Sequence, residues 1–572
     1  MAKALLIAWR DPKRRSITEE QVRKLATALA PDNISPREPL VFSDEQDLVA
    51  VFQPSPSWPP HEGNVAVGTL LKPAGEWWTV GGDIPEGSFA LYRRDAKYVE
   101  LVTDMLACRS VWYALTPEMF VASSSQRAVI ACLRSFDPDP NALAWMLSQG
   151  SIGLGNSWDR RIRPLRWSSR LRLDRVAWSL TVESEPIQHA PEDRTYEEAK
   201  AALASVIDSA VARLDGDMQH TLLLLTGGTD SRFILYGMMD RGVKTLTWGL
   251  SDDLKRRHSD AWLAVQLAKR YHLNHEFRSI DEPVTESVDT ILSRYVALSE
   301  ACADNFTGYL DGMRIYKQFY EEGVESMVRG EAAVGYYALD DEFEIRRRFE
   351  LFTLADYSNL SGSWMKQFAS QAIPDELRRR PDESLTTWCD RLLMTEKLPK
   401  QMAALNEIKT WYCEIHNPLM ARSVVAEGLR QTDAQRGNRK LHHDIVHDRC
   451  PDLEFARDVT PSRRKRGVLR TRPYVDVMRA TLDTGDAREL LSPDLVDFLL
   501  TNLSEQETEG LTRKRLRAQI TRYLPEELKK LLRRAAAPSD NRPKMDFNVL
   551  AFRAFLAVRM HRLLRADAKL LS

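Results

Sequence analysis

Cysteine is scarce, with 6 in 572 residues and no CxxC pair. Cys108, Cys132, Cys302, Cys389, Cys413 and Cys450 are dispersed. That argues against a disulfide framework or a cysteine metal cluster and fits buried thiols in a reducing cytosol. Long apolar runs are missing, and none approaches the roughly 18–20 residues that a bilayer span needs. The opening MAKALLIAWRDPKRRS is too short in its apolar part for a secretory signal and reads as a first strand. An excess of one charge is also missing. The 80 Lys and Arg against 81 Asp and Glu leave a net −1, which argues against nucleic acid as a bulk partner. No internal repeat is visible. What is present is ordinary globular usage, 43% hydrophobic and 28% charged, and a chain of this length carries about two to four domains. The expectation is a cytoplasmic protein with no membrane partner.

Residues 1–190 read as β-rich. Short apolar segments recur at 4–9, 48–52, 64–71, 88–92, 99–103, 119–122, 170–173 and 176–182, punctuated by turn residues as in QPSPSWPP and GGDIPEGS. Helical periodicity appears near 19–30 and 125–134. Sheets with few helices predict an α+β sandwich. The stretch 183–194, ESEPIQHAPEDR, has no periodicity and reads as a linker. From Thr195 the pattern changes. Residues 195–214 are helical, with Tyr196, Ala199, Ala202, Val206, Ser209 and Val211 roughly on one face. A four-leucine run at 222–225 then precedes a Gly-rich turn, an apolar helix at 233–239 and a second strand at 243–250. This is a βαβ unit with a fully buried strand, the mark of a parallel sheet. A helix at 259–271 and a strand at 275–279 follow, and beyond about residue 285 the chain is mostly helical. The basic stretch 513–534 reads as a solvated amphipathic helix.

The turn Thr226-Gly227-Gly228-Thr229-Asp230-Ser231 carries the chemistry. It lies between a buried strand and a helix, whose N-terminus presents unpaired N–H groups and a partial positive charge. Two glycines let the backbone approach an anion and take positive φ. The Thr226 and Ser231 hydroxyls are donors for phosphate oxygens, and Asp230 offers a hard oxygen to Mg²⁺. Together they make a phosphate cradle. It is neither a Walker A loop nor GxGxxG. The plainer alternative is a Gly-Gly turn with an Asp-Ser cap.

TGGTDS after a leucine-rich strand resembles the pyrophosphate-binding loop of the ATP pyrophosphatase superfamily. The chain more narrowly resembles the asparagine synthetase family, including β-lactam synthetases and lasso-peptide cyclases. TLTWGL at 245–250 resembles the second strand of that family, and Ser259-Asp260 with AWLAVQLAKRYHLNHEF its next helix and strand. Gly330-Glu331 in MVRGEAAVGYY, Glu414 in YCEIHNPLMARSVV and Lys465 in RRKRGV resemble its later motifs. GTLL, GSFALYRR and FVASSSQRAV in the first 190 residues look like its glutaminase-type sandwich. The resemblance implies an α+β glutaminase-like (Ntn) domain at 1–190. It implies an α/β ATP-pyrophosphatase domain at 191–572, with a parallel sheet and a largely helical C-terminal part. It also implies binding of ATP and Mg²⁺ by Leu225, Thr226–Ser231, Trp248 and Gly249, with Asp230 as metal ligand.

Two departures from the family stand out. Its glutamine-hydrolysing members carry a cysteine at position 2, where this chain has Ala2. An N-terminal nucleophile needs a thiol or hydroxyl, so the first domain is expected to lack glutaminase activity. The family also places an aspartate three residues after the motif glutamate, where Val334 stands here. Either Glu331, Asp340 or Asp341 substitutes, or the metal relies on Asp230 and phosphates.

The implied reaction is carboxylate adenylation followed by attack of an amine, in which the protein positions reactants and neutralises charge. Lys465 is the expected cation on the leaving pyrophosphate; a solvated basic loop, or contacts from Arg463, Arg464 or Arg466, are the alternatives. Glu331 suits the role of general base, against a capping or salt-bridged glutamate. Glu414 would orient Glu331 or a tyrosine, against a structural ion pair with Arg422. Tyr336 and Tyr337 are donors or core. His275 reads as core, and the i, i+4 pair His443 and His447 as a weak zinc candidate. The leading expectation is an ATP-dependent ligase without its own glutaminase, most of all a lasso-peptide macrolactam cyclase in antibiotic biosynthesis. A leader peptidase and a precursor-recognition protein would be its partners. A small-molecule amide or β-lactam synthetase, or an inactive nucleotide-binding relic, are the alternatives.

Overall fold

The computed structural model describes residues 3–55, 59–335, 339, 341–456, 465–505 and 542–572. Ala2, Tyr336, Tyr337, Asp340, Arg463, Arg464 and the basic stretch 513–534 lie outside the described residues, as does the side chain of Lys465.

Two antiparallel sheets form from the first 184 residues. The first, in the order β2 (Leu40–Ser43), β3 (Asp47–Phe52), β1 (Lys3–Trp9), β8 (Met119–Ser123), β7 (Trp112–Leu115) and β9 (Arg163–Pro164), has β1 near its centre. The second runs β11 (Ser179–Ser184), β10 (Ser169–Asp174), β6 (Tyr98–Thr103), β5 (Gly87–Arg94) and β4 (Val65–Leu70). Period-2 alternation gives β1 two buried faces. Ala4, Leu6 and Ala8 meet Val65, Val67, Ala90 and Leu101 of the second sheet. Leu5, Ile7 and Trp9 face the helical side with Val22, Leu25 and Val129. Sequence periodicity located most of these strands. It missed β2, β7 and the helix Pro140–Gln149, and it placed β11 several residues early, where Arg175–Trp178 forms the turn of a hairpin instead.

The second half is built on a five-stranded sheet in the order β14 (His275–Ser279), β13 (Lys244–Gly249), β12 (Thr221–Leu224), β15 (Ser326–Val328) and β16 (Glu414–His416). Every pairing in it is parallel. The first strand in sequence, β12, is central, with β13 on one side and β15 on the other. Such an order reverses direction between β12 and β15, and the crevice at that switch point, at the carboxyl ends of the strands, is where α/β sheets take ligands.

The helix Tyr196–Ala212 begins at a capping box between Thr195 and Glu198. Its buried stripe is Ala199, Leu203, Ile207, Ala210 and Val211. The sequence reading put Ala202, Val206 and Ser209 on the inner face; Ser209 is exposed. The larger Leu203 and Ile207 turn the helix so that their own i, i+4 row is covered. The expected linker is also pinned to the body: Ala190 N–H donates to Leu429 O (3.1 Å) and Glu192 N–H to Arg430 O (2.9 Å).

One hydrophobic cluster runs from Leu5 and Ile7 through Tyr295 and Phe306 to Phe552 and Leu564, so the two halves of the chain share a core. The C-terminal helix Phe547–Asp567 lies at its centre, buried almost all round. It carries Arg553, which donates to Asp304 Oδ2 (2.6 Å) and to Ser148 O (2.7 Å), tying three distant segments. Replacing Arg553 with Met leaves the Asp304 carboxylate buried beside a lost cation and is expected to cost about 3–5 kcal/mol. Arg565→Met, on the same helix but at a solvent-exposed pair with Glu489, is expected to cost below about 1 kcal/mol. Chemical denaturation of the two variants measures the contrast.

Candidate active site

β12 delivers the turn to the switch point. Leu225 N–H donates to Leu246 O (2.9 Å), and the Thr247 hydroxyl donates to Leu225 O, so the strand pairing continues to the last residue before the turn. Ser231 folds back over the turn: its Oγ accepts from Thr226 N–H (3.1 Å) and donates to Thr226 O (3.1 Å). The Thr226 hydroxyl accepts from Gly228 N–H (3.2 Å). Gly228 is the N-cap of the helix Thr229–Met238, which no side chain caps, and its φ is −81°. Neither glycine takes the positive φ expected of it. Space is the reason for Gly227, where a Cβ would stand 2.7 Å from Leu263 Cδ1 and 2.9 Å from Ala456 Cβ.

The turn is held from behind. Gly227 N–H donates to Asp260 Oδ1 (3.1 Å), and burial raises the Asp260 carboxyl above its usual range. Arg232 donates to Leu453 O (2.9 Å), and Ala456 N–H donates to Gly227 O (3.1 Å). The chain that leads into the RRKR run is therefore bonded to the turn at Ala456. Lys465 opens the short helix Lys465–Val468. Thr229 Oγ1 lies 3.3 Å from His443 Nδ1, so this histidine faces the turn, and burial lowers its pKa. His442 is buried against Phe233. Among the described residues no group of three His, Cys, Asp or Glu converges as a metal site.

Across the switch point, β15 ends at Val328 and delivers Gly330 and Glu331. A Cβ on Gly330 would lie 2.5 Å from the Asp230 carbonyl carbon, so the two motif segments are in backbone contact. Glu331 pairs with Arg329 (2.8 Å), and its N–H donates to Asn417 Oδ1 (3.3 Å). It lines a narrow cavity with Cys108, Arg109, Asn406, Asn417 and Met420. Burial raises the Cys108 thiol well above its usual range, which disfavours the thiolate there. Glu414 does not pair with Arg422, as the sequence allowed. It accepts from Arg109 (3.0 Å), while Arg422 contacts Glu185. Arg109 also donates to Glu407 (3.0 Å), which takes Lys3 Nζ on its other oxygen (2.6 Å). This buried chain of charges joins β1 to β16.

Trp248 and Gly249 end β13. Trp248 is half-buried against Tyr316 and Phe319, with ring centroids 6.2 Å away in each case, and Gly249 packs on Asp253. His275 is half-buried beside Thr245 (3.0 Å).

Among the described residues the donor set does not fit a protein-held Mg²⁺. Asp230 is in contact with the Arg439 guanidinium. Val334 is buried in an apolar cluster with Ala333 and Met420. Glu331 is taken by Arg329. Asp341 caps the helix Glu342–Arg348 by accepting from Phe343 N–H (2.9 Å). Arg439 and Arg109 had no signal in the sequence, since each meets the site from a segment remote from the motifs; Asp260, Arg329 and Asn417 lie inside the motif segments, but the motifs give them no role.

No protein-family model and no curated protein matches the chain. Among solved structures, the glutamine phosphoribosylpyrophosphate amidotransferase from B. subtilis complexed with ADP and GMP aligns at 9% identity and a TM-score of 0.20. The alignment covers 50% of this chain and 83% of that one. Superposition at that level carries no argument about this protein.

The contact at Gly330 is testable. Gly330→Ala is expected to lower stability by about 1–3 kcal/mol and to weaken ATP binding more than tenfold, because the added methyl drives into the Asp230 backbone. Gly308→Ala, where a Cβ meets nothing within 4 Å, is expected to change neither. Calorimetric titration with ATP and thermal melts measure both.

Proposed function

We propose that this protein is an ATP-dependent ligase that adenylates a carboxylate and passes the acyl group to an amine, without a glutaminase of its own. One observation carries the reading. TGGTDS stands at the carboxyl end of the central parallel strand, in backbone contact with Gly330 across the topological switch point. In this reading the turn and the start of the helix Thr229–Met238 hold the phosphates, and Trp248 and Gly249 border the adenine. Lys465, nine residues after the Ala456 that is bonded to Gly227 O, is the cation on the leaving pyrophosphate in this reading.

A carboxylate oxygen attacks the α-phosphorus, and the bond to the bridging oxygen breaks as pyrophosphate leaves. The amine nitrogen then attacks the acyl carbon, AMP departs, and Glu331 accepts the amine proton. Arg329 and Asn417 fix the Glu331 carboxylate for that transfer. Glu414 acts as a positioning residue through Arg109, which lines the same cavity. The resemblance to lasso-peptide cyclases makes a macrolactam-forming peptide the leading substrate. An amide or β-lactam synthetase acting on a small molecule shares the same first step.

Acid-dependent exchange of labelled pyrophosphate into ATP, with AMP and a product lighter by one water, is the expected result. No ammonia is expected from glutamine. Exchange without any acid, or ammonia release, overturns the reading. Glu331→Gln is expected to slow amide formation by about 10²–10⁴-fold while exchange continues. Lys465→Ala is expected to slow exchange far more than it weakens ATP binding; an equal effect on both would reduce the lysine to an anchor.

A further inference from the structure

We propose that Arg439 is the resident cation of the TGGTDS turn, so that this site grips a polyphosphate with a guanidinium and not through a divalent ion held by Asp230. The inference rests on the reading of the turn as a phosphate site and concerns how that site is charged.

The Asp230 and Arg439 side chains are in contact and mostly shielded, at 14% and 13% exposure. Arg439 is placed there by the fold and does not merely drift onto a surface carboxylate. It takes a left-handed conformation, φ 58° and ψ 36°, immediately before the helix Lys440–Arg449, a strained state for a residue with a Cβ that surrounding structure must hold. Its N–H donates to Gly335 O (2.8 Å). Gly335 N–H in turn donates to Asp390 Oδ1 (3.0 Å), and Asp390 pairs with Arg436 (3.0 Å), both fully buried. The guanidinium thus hangs from the same segment that delivers Gly330 and Glu331 to the switch point.

On that segment Val334 is apolar and the Glu331 carboxylate is paired with Arg329. Val334 is closely packed, and a Cβ on Gly428 would stand 3.0 Å from it. A divalent ion needs several hard oxygens from the protein or its ligand. Here one carboxylate is already balanced by one guanidinium. Arginine presents five N–H donors in a planar fork that suits phosphate oxygens. Burial lowers the Arg439 pKa to about 10, which leaves it charged at neutral pH. Besides Asp230, the carboxylate of Asp260 faces the turn, with its Oδ1 accepting from Gly227 N–H (3.1 Å).

The test is calorimetric titration of the full chain with inorganic pyrophosphate, in EDTA and in magnesium, on the native protein, D230N, R439Q and R439K. Native protein is expected to bind pyrophosphate in EDTA. D230N is expected to bind as tightly or tighter, since a competing anion is removed, whereas R439Q loses at least tenfold and R439K recovers part. Manganese added without nucleotide is expected to show no bound spin signal. Binding that appears only with magnesium, is lost in D230N and survives R439Q overturns the inference and leaves the proposed function standing. Absence of pyrophosphate and ATP binding in both buffers overturns the proposed function, and this inference with it.

Discussion

Gly330 lies against the backbone of Asp230 with no room for a side chain between them. That approach couples the two strands on which the candidate site depends. β12 and β15 are neighbours in the sheet, and their following segments diverge at the switch point, leaving a crevice floored by main chain. A larger residue at either position would push the turn from the crevice wall. The same demand for close packing explains Gly227, wedged against Leu263 and Ala456. The glycines serve proximity and not unusual backbone angles.

The β-sandwich is bound to the site by charge as well as by apolar contact. Lys3, Glu407, Arg109 and Glu414 form a buried chain from the first strand to the last. Each member is desolvated, so each needs its partners, and loss of one would strand the others. The Thr69 hydroxyl adds a contact from β4 to Ile415 O (3.1 Å). Arg109 belongs to this chain and also lines the cavity that holds Glu331. The sandwich thereby contributes Cys108 and Arg109 to the wall of that cavity.

Much of this was readable from residue order. The 222–225 leucine run and the 275–279 strand appear as expected because local periodicity decides them. The face of the helix Tyr196–Ala212 was misread because apolar residues occupy more than one stripe, and only the neighbours choose which is covered. The short strands β15 and β16, three residues each, carry too little pattern to be seen, though Gly330-Glu331 and Glu414 mark their ends.

The sequence by itself determined the parallel-sheet unit, the turn and the segments able to meet it, because these follow from hydrophobic period and from what glycine, serine and aspartate do next to a strand. Tertiary structure alone decided which charges meet across the chain: Asp230 with Arg439, and Glu414 with Arg109 in place of Arg422. Ion pairs between distant segments leave no periodic trace along a chain. They are set by packing, which brings remote residues together and removes the water that would otherwise separate them.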